Sequence, residues 1–479
     1  MLPERGVLMN ETAQTMMEGQ QQATTDVAQF IHEKNTNPLA EGESVALRPS
    51  GSIYMGNYAA EPIELVRVAI IGLSERGIPQ TLQFASIPHC SVVGLCDLQT
   101  KAAHEAADEL EKRCGFRPAV FEDYLQMLDE LKPDAVFINT SWETHAAMAV
   151  ACMEHGAHAF VEVPLATTLE GLWQIVDASE RTHRHCMMLE NVNYGRVELM
   201  FLNMVRQGLV GEPVHAEAAY IHDLRSRMLS DAAAGNIWRT SHFAARNGNL
   251  YPTHGLGPVA QYMSLARTDD TFDSIVSMSS LSLGRAAFVQ RELPEDHPWQ
   301  NLDFRCGDVN TSIIRTRAGR TILVQWDETT PRPYNRKNMI AGTLGVLAGF
   351  PTRVAGEHLS PPPAPADDSC GGFSGEDCCQ WYMGAEAEAD LFARYEHPLY
   401  ARLGDEMARN GGMDFIMLSR VIECLHRGEP LDQNVYEGAF WSAVAPLSEM
   451  SVSQGGAPQH FPDFTRGDWR HTPPLGIVN

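Results

Sequence analysis

The sequence lacks the long apolar runs and the excess of basic residues that mark two large classes of protein. No run of about 18 apolar residues occurs along the 479 positions, so we expect no transmembrane helix. Aspartate and glutamate number 61 against 36 lysines and arginines, which gives a formal net charge of −25. Neither nucleic acid nor an anionic membrane attracts such a chain. We therefore expect a soluble protein whose partner is a small molecule.

The sequence also lacks a cysteine pattern typical of disulfide or zinc frameworks. Its ten cysteines are scattered, and the most closely spaced, Cys370, Cys378 and Cys379, form no C-x-x-C pair with a nearby histidine. We therefore expect reduced thiols. The opening residues MLPERGVLMNETAQ lack the basic and apolar regions of a signal peptide. These features predict a cytoplasmic location, or a periplasmic one if an export signal lies outside this chain.

Short apolar strands alternate with helices in the first half of the sequence. The pattern predicts strands at 66–72, 91–97, 133–140, 158–164 and 186–193, with helices at 101–115, 144–156 and 168–182. Such alternation is typical of an α/β fold with a doubly wound parallel sheet of the Rossmann type. After residue 194, longer strands with hairpin turns such as RAGR predict an α+β domain with a mainly antiparallel open sheet.

These patterns divide the chain into four parts. Two helices, near 412–427 and 435–452, are predicted toward the end of the second domain, and a stretch rich in Pro, Gly and acids predicts an exposed insertion at about 355–385. The predicted parts are an N-terminal extension or arm (1–62), a nucleotide-binding Rossmann domain (63–193), a substrate and oligomerisation domain (194–455) and a C-terminal tail (456–479).

The turn after the first strand reads GLSERG and resembles a dinucleotide fingerprint. Gly72 permits the tight turn, and Gly77 lets the following helix pack closely on the strand. Ser74 stands where the fingerprint has its middle glycine, and its small side chain still allows a pyrophosphate to approach. Asp97 ends the second strand, 97 − 77 = 20 residues past Gly77. A carboxylate there binds the ribose hydroxyls and disfavours a 2′-phosphate, which predicts NAD rather than NADP.

Further candidates for the cofactor site follow the predicted strand at 133–140, in FINTSWETHAAM. This is the carboxyl edge of the sheet, where ligands bind in such folds. Trp142 is a candidate to cover the cofactor. His145 is either a ribose or nicotinamide contact or simply a residue in the first turn of a helix. The candidate cofactor contacts are Gly72, Ser74, Arg76, Gly77, Asp97, Trp142, His145, Glu162 and Asn191.

Four segments carry a high density of groups that transfer protons. They are VEVP with Glu162, MLENVNYG with Glu190, Asn191 and Tyr194, NIWRTSHFAARNGNLYPTHGLGP with Arg239, Tyr251 and His254, and TTPRPYNRKN with Tyr334. Each residue alone also has an ordinary structural interpretation as a surface acid, a core-edge tyrosine or a buried histidine. Their shared position at strand ends or in irregular loops favours a functional cluster.

These motifs together carry a family resemblance. The strand–turn–Asp pattern followed by E-x-P resembles the glucose–fructose oxidoreductase / inositol dehydrogenase / MocA superfamily. Its dehydrogenases have E-K-P there, whereas this chain has Val163 in place of the lysine. Within that superfamily the chain resembles glycoside hydrolase family 109, the NAD-dependent α-N-acetylgalactosaminidases. The matching strings span about 64–466 and include MMLENVNYGR, WRTSHFAARNGNLYPTHGLGP, TTPRPYNR and GGMDF.

The resemblance implies hydrolysis of a glycoside by oxidation and elimination, without the usual carboxylate pair. NAD⁺ takes hydride from C3 of the sugar, and the ketone acidifies the C2 proton. A base removes that proton, the C1 group leaves, water adds and NADH returns the hydride. The NAD is therefore expected to be tightly bound and recycled within each turnover. No metal is needed, because the ketone supplies the acidity.

The resemblance also implies roles for individual residues. The family's site residues match Glu162, Tyr194, Arg239, Tyr251, His254 and Tyr334. His254 is a candidate acid/base at the C3 hydroxyl, with Tyr251 beside it. Tyr194 is a candidate base at C2 if its pKa is lowered from the usual value of about 10.

The remaining roles concern binding. Arg239 is a candidate to bind the substrate or an enolate oxygen, and Tyr334 and Tyr251 are candidates to position the sugar. Glu162 is expected to orient the nicotinamide side or to serve the leaving group and water. By the same resemblance we expect a homodimer or homotetramer.

Two other functions stay open at this point. One is an NAD-dependent sugar oxidoreductase that releases NADH, against which Val163 argues. The other is a non-catalytic sugar or NAD sensor, against which Tyr194, His254 and Tyr334 argue. The preference for α- or β-linked substrates, the exact sugar and the aglycone do not follow from the sequence.

Overall fold

In the computed structural model, the strands between residues 66 and 188 form a six-stranded parallel sheet. We call this part of the chain, with its helices, the first half, and the part that follows it the second half. The structure describes residues 47–73, 76–234, 237–268, 270–357, 359 and 380–477. Ser74, residues 1–46 of the predicted N-terminal extension and most of the predicted insertion therefore lie outside the described residues. The strands are β1 (Val66–Ile71), β2 (Cys90–Cys96), β3 (Ala119–Phe121), β4 (Ala135–Ile138), β5 (His158–Val161) and β6 (Cys186–Met188).

The strands are arranged in the order β3-β2-β1-β4-β5-β6, so the chain reverses direction across the sheet between β1 and β4. This order confirms the predicted doubly wound fold. Every residue of β4 and of β5 is buried, because helices cover both faces. The ligand site of such a sheet lies where the order reverses, outside the carboxyl ends of β1 and β4.

The helices of this half begin and end at recognisable sequence signals. They are α1 (Gly77–Gln83), α2 (Thr100–Cys114), α3 (Tyr124–Leu131), α4 (His145–Glu154) and α5 (Leu169–Thr182). Gly115 ends α2 in the left-handed region at φ 72°. Asp123 and Thr168 cap the first turns of α3 and α5 with their side-chain oxygens.

The predicted strand at 186–193 is shorter than expected. It ends at Met188, and the chain enters a 3₁₀ turn over Asn191–Tyr194. The Glu190 side chain accepts a hydrogen bond of 3.2 Å from the backbone N–H of Val192 and so caps this turn. The apolar run therefore continues into a turn that a polar side chain stabilises.

A second sheet of nine strands follows, and it is antiparallel except for the β7–β10 pair. Its order is β14-β13-β12-β11-β7-β10-β9-β8-β15. The strands are β7 (Pro213–Ile221), β8 (Phe272–Ser279), β9 (Val309–Thr316), β10 (Thr321–Asp327), β11 (Met339–Gly342), β12 (Gly345–Ala348), β13 (Arg353–Gly356), β14 (Tyr382–Met383) and β15 (Gln459–His460). The expected RAGR turn joins β9 to β10. The segment MIAGTLGVLAGF forms the hairpin β11–β12.

More helices accompany this sheet than the sequence predicted. They are α6 (Arg196–Arg206), α7 (Arg225–Ala234), α8 (Trp238–Ala245), α9 (Thr253–Tyr262), α10 (Gly284–Glu292), α11 (Ala385–Tyr395), α12 (Pro398–Asn410), α13 (Met413–Arg427) and α14 (Val435–Ser453). The two helices predicted toward the end of the domain are confirmed as α13 and α14. Arg239 and His254 lie on α8 and α9, so their segment is largely helical rather than irregular.

The two halves share one hydrophobic core. Helix α14 is buried along most of its length and packs between α5 of the first half and β8 of the second. The described part of the N-terminal extension lies across the same core. The backbone N–H of Met55 donates to the Tyr436 hydroxyl at 3.0 Å. Within the described ranges, no helix has the length and hydropathy of a membrane span.

Candidate functional site

The loop between β1 and α1 is too tightly closed for larger residues. Gly72 has φ +92°, and a Cβ there would lie 2.6 Å from the backbone oxygen of Asn139. A Cβ on Gly77 would lie 1.9 Å from the carbonyl oxygen of Gly72. The loop therefore turns sharply and starts a helix directly at the carboxyl edge of the sheet. This is the geometry in which a helix N-terminus receives a pyrophosphate.

The residues around this loop fit a dinucleotide. Asp97 accepts from the backbone N–H of Leu73 at 2.6 Å and of Gln99 at 2.7 Å, which holds its carboxylate beside the loop. Asn139 follows β4, and both polar atoms of its buried amide lack a hydrogen-bond partner among the described residues. Buried amides are normally hydrogen-bonded. A nucleotide on the loop would supply the missing partners.

Arg76 links the loop to two distant parts of the chain. Its Nε donates to Glu162 Oε1 at 2.7 Å, and its two terminal nitrogens each donate to a different oxygen of Asp414 at 2.7 Å. Asn191 Nδ2 donates to the same Asp414 carboxylate at 2.7 Å. Burial alone would lower the pKa of Arg76, but the charges of Glu162 and Asp414 outweigh it and raise the pKa. The Arg76 side chain is thus fixed beside the loop between two carboxylates.

Glu162 and His145 are both committed to interactions within the protein. Glu162 Oε1 accepts hydrogen bonds from Gln80 as well as from Arg76, so the carboxylate orients these two side chains beside the loop. His145 is fully buried as the first residue of α4. Its ring nitrogens lie 2.7 Å from the Pro164 carbonyl oxygen and 3.2 Å from that of Thr140. His145 therefore fits the first-turn interpretation, and its ring holds the sheet edge together instead of facing a ribose.

Beside the loop lies a group of rings that we call the aromatic cluster. Its members are Trp142, Tyr220, His222, Tyr251, His254 and Tyr334. The Tyr251 centroid lies 5.0 Å from that of Tyr220, 4.9 Å from that of His254 and 6.0 Å from that of Trp142. Trp142 lies four residues past the end of β4, and Asn139, against which Gly72 packs, lies between them.

Two residues predicted to bind the substrate lie here: Arg239 packs against the aromatic cluster, and Tyr334 is a member of it. The Arg239 guanidinium lies over Trp142, 5.3 Å from the ring centroid. Tyr334 is 40% exposed, and its hydroxyl accepts from Arg336 at 2.6 Å. The structure therefore brings together Trp142, Arg239, Tyr251, His254 and Tyr334, which the sequence had placed in three separate segments.

Burial sets the protonation of the tyrosines at the centre of this cluster. It raises the pKa of Tyr220 and the pKa of Tyr251 far above the ordinary value for tyrosine. Burial also lowers the pKa of His222. A phenol of ordinary pKa is already protonated near neutral pH, and burial makes its ionisation harder still, so both hydroxyls keep their protons; that of Tyr220 lies 3.0 Å from His222 Nδ1.

Tyr194 lies apart from the aromatic cluster. Its hydroxyl donates to Asp432 Oδ2 at 3.2 Å, and Arg420 donates to both oxygens of that carboxylate. Burial raises the pKa of Tyr194, and the Asp432 charge raises it further. This shift is opposite to the lowered pKa on which the predicted role as C2 base depends, and that role stays a prediction. Tyr194 packs with the apolar side chains around Leu199 instead.

The structure also adds four residues that the list of candidate sites did not contain. Tyr220 and His222 lie at the end of β7, and a search of strand ends in the second sheet would have found them. Glu190 contacts His254, and Asp414 contacts Arg76 and Asn191. Their sequence separations, 64 residues for Glu190–His254 and 338 for Arg76–Asp414, leave no local signal. Among the described residues no group of three or more His, Cys, Asp or Glu side chains is arranged to hold a metal.

Two family models match consecutive parts of the chain. Residues 66–190 match "Oxidoreductase family, NAD-binding Rossmann fold", and residues 194–471 match "Glycosyl hydrolase 109, C-terminal domain". Glycosyl hydrolase family 109 protein 1 of Akkermansia muciniphila is 56% identical over 438 residues, which cover 90% of this chain and 88% of that protein. An α-N-acetylgalactosaminidase of Shewanella oneidensis is 48% identical and covers 92% of this chain and 94% of its own.

Solved structures share the fold at much lower identity. Levoglucosan dehydrogenase in complex with NADH and L-sorbose superposes with a TM-score of 0.60 at 17% identity. The match covers 84% of this chain and 100% of that chain. At this identity the likeness shows a common fold alone. The superposition includes residues of both sheets of this chain, the parallel one and the mostly antiparallel one that follows it.

Proposed function

Because the chain belongs to glycosyl hydrolase family 109 and is a glycoside hydrolase with an NAD-binding Rossmann domain, we propose that it cleaves terminal N-acetylgalactosamine from glycosides. The observation that supports this most is the aromatic cluster beside the nucleotide loop. Trp142 packs against Tyr251 just past the strand whose end contacts Gly72. A sugar held by the cluster would therefore lie next to a nicotinamide ring.

Bound NAD would supply a reversible hydride acceptor for C3 of the sugar, which makes the C2 proton acidic. The residues of the chain bind the sugar, hold its hydroxyls and move protons. Tyr220, Tyr251 and Tyr334 offer hydroxyls to the sugar oxygens, and Arg239 offers a cation to an anionic oxygen that develops during elimination. His254 exchanges the proton of the C3 hydroxyl.

We further propose that the NAD stays bound through many turnovers. Arg76, held in one orientation by Glu162 and Asp414, fixes one end of the loop that would receive the pyrophosphate, so less ordering is needed on binding. Asn191, held by the same Asp414, presents a second polar side chain there. A cofactor that is regenerated within each cycle needs no exchange, so slow release carries no kinetic penalty.

Isotope exchange tests the proposed route. The purified enzyme, without added NAD, is incubated in deuterated water with α- and β-linked p-nitrophenyl N-acetylgalactosamine. Elimination through a C3 ketone is expected to place deuterium at C2 of the released sugar, as read by mass spectrometry and NMR. Hydrolysis without deuterium at C2 would contradict the route.

A second incubation, this time with added NAD⁺, tests the other two functions. Absorbance that rises steadily at 340 nm with sugar and added NAD⁺ would indicate an oxidoreductase that releases NADH. The absence of turnover on every aryl glycoside tested would indicate a sensor. A comparison of the α- and β-linked substrates gives the anomeric preference.

We propose that two copies pair through the open face of the second sheet. Outward-facing side chains there include Met278, 68% exposed on β8, and Ile313, 46% exposed on β9. Exposed apolar side chains on neighbouring strands of a sheet are typical of a contact surface. The superfamily resemblance points to the same face.

The substitution Ile313→Asp is expected to shift the protein from dimer or tetramer toward monomer, because a carboxylate would be desolvated within the interface. Light scattering coupled to gel filtration measures the mass. Leu125→Asp on α3, where the leucine is 41% exposed on the other half of the protein, is the control and should keep the assembly. An unchanged mass for Ile313→Asp would place the interface elsewhere.

A further inference from the structure

Glu190 is a fully buried carboxylate that contacts the histidine of the aromatic cluster. Its Oε1 lies 2.7 Å from His254 Nδ1, with the carboxylate side chain 0% and the imidazole 14% exposed. No lysine or arginine in the described parts of the chain pairs with Glu190. The side chain that can compensate this buried charge is therefore His254.

The surrounding packing keeps this carboxylate in place. Glu190 Oε1 also accepts from the backbone N–H of Val192 at 3.2 Å, and the Glu190 carbonyl accepts from Gln433 Nε2 at 3.2 Å. Helix α9 comes so close that a Cβ on Gly257 would lie 3.0 Å from Glu190 Cγ and 2.8 Å from Asn193 Oδ1. Gly257, the second glycine in THGLGP, thus lets the helix that carries His254 pack directly against Glu190.

We infer that Glu190 is a positioning residue that fixes His254 as the base of the reaction, an inference that rests on the proposed function. A carboxylate only accepts hydrogen bonds, so the imidazole must carry its proton on Nδ1. Nε2 is then left with its lone pair, and part of the ring remains accessible. The buried contact also fixes the plane of the ring. The histidine is thereby held in one tautomer and one orientation.

The same contact places a carboxylate beside His254 during the proton transfer. When Nε2 accepts the proton of a sugar hydroxyl, the O–H bond breaks, an Nε2–H bond forms and the electron pair stays on the sugar oxygen. The ring becomes an imidazolium whose charge faces Glu190 at hydrogen-bond distance. In a buried environment this attraction is stronger than in water. The proton returns to the sugar oxygen when the hydroxyl re-forms.

A double-mutant cycle tests this role. Glu190→Gln keeps the size of the side chain and removes its charge, and we expect kcat to fall about a hundredfold while KM changes by less than about threefold. In the His254→Asn background, Glu190→Gln should cause no further loss, because the two residues act as one unit. Equal losses in both backgrounds, or a wild-type kcat for Glu190→Gln, would overturn the inference.

Further measurements separate positioning from folding. Glu180→Gln removes an equally buried carboxylate on α5 that pairs with Arg48 and Arg466, and it should leave kcat unchanged. If Glu190→Gln does not fold, Glu190→Asp keeps the charge but shortens its reach, and a wild-type kcat there would overturn the inference. The ring ¹⁵N shifts of His254, assigned by their loss in His254→Asn, should show a protonated Nδ1 in the wild type and a mixture of tautomers in Glu190→Gln. Unchanged shifts would contradict positioning.

These results are distinguishable from a failure of the proposed function. A wild-type enzyme that incorporates no deuterium at C2 would contradict the elimination route. An enzyme that incorporates deuterium but tolerates Glu190→Gln would contradict only the positioning role.

Discussion

Replacement of His254 by asparagine is expected to lower kcat by about 10²- to 10⁴-fold, the range for loss of a positioned acid or base. Asparagine preserves polarity and part of the ring's volume but exchanges no proton near neutral pH. KM should change little, since Arg239, Tyr251 and Tyr334 remain to bind the sugar. Steady-state kinetics on p-nitrophenyl N-acetylgalactosamine gives both parameters. NAD content should stay at the wild-type level, because His254 does not contact the loop.

The matched control for this variant is His155→Asn. His155 follows the last residue of α4, and its Nε2 faces Asp129 at 3.4 Å on the surface of the first half. The same chemical change there should leave kcat unaffected. A His254→Asn enzyme with kcat within about threefold of wild type would show that the proton transfer lies elsewhere in the cluster.

Gly77→Ala is expected to strip the enzyme of its cofactor. The added Cβ would fall 1.9 Å from the Gly72 oxygen and 3.4 Å from Asn139 Cβ. Because the first contact is with backbone, the loop must open. Overpacking of this kind costs about 1–3 kcal/mol, and release of that strain in the open loop would weaken NAD binding roughly tenfold to a hundredfold. The NAD content of purified protein, measured by chromatography after acid extraction, tests this.

The control for the loop variant is another glycine. Gly476 has open space within 4 Å of its ideal Cβ and no left-handed φ, so Gly476→Ala should retain wild-type NAD content. Added NAD at millimolar concentration should partly restore activity to Gly77→Ala by mass action. Full retention of NAD by Gly77→Ala would mean that the dinucleotide does not depend on this tight turn.

The parallel sheet could be predicted because its strands are short apolar runs with clear stops. The periodic helix α2, with its glycine cap, was equally clear. Helices α8 and α9 were missed, since WRTSHFAARNGNLYPTHGLGP mixes helix formers with Gly, Pro and Asn. The two glycines of α9, Gly255 and Gly257, serve close packing against neighbouring elements, which a local pattern cannot distinguish from a loop.

Site residues that belong to a local sequence motif could be predicted. The contacts that surround them could not, because those contacts arise from packing between distant segments. Trp142 was expected at the carboxyl edge of the sheet, the family resemblance indicated Tyr251 and His254, and the structure packs the three rings together. The environment of Tyr194 was not foreseen, because Asp432 and Arg420 reach it from a segment more than 200 residues away. Its raised pKa results from burial, which no motif reports. Glu190 was named among the proton-transfer groups, but its contact with His254 was not predicted, and Asp414 was not among the candidate site residues, because both contacts join distant segments.

The Arg76–Asp414 pair joins the Rossmann domain to a helix of the second domain. The arginine that supports the nucleotide loop belongs to the first half of the chain, whereas the carboxylate that orients it is supplied by α13, 338 residues later. The Rossmann half is therefore not an interchangeable module, since excision would leave Arg76 with Glu162 alone. Ligand binding on the loop and the folding of the distant helix are thermodynamically linked. The melting of α13, which contributes no residue to the aromatic cluster, would then report whether the cofactor site is occupied.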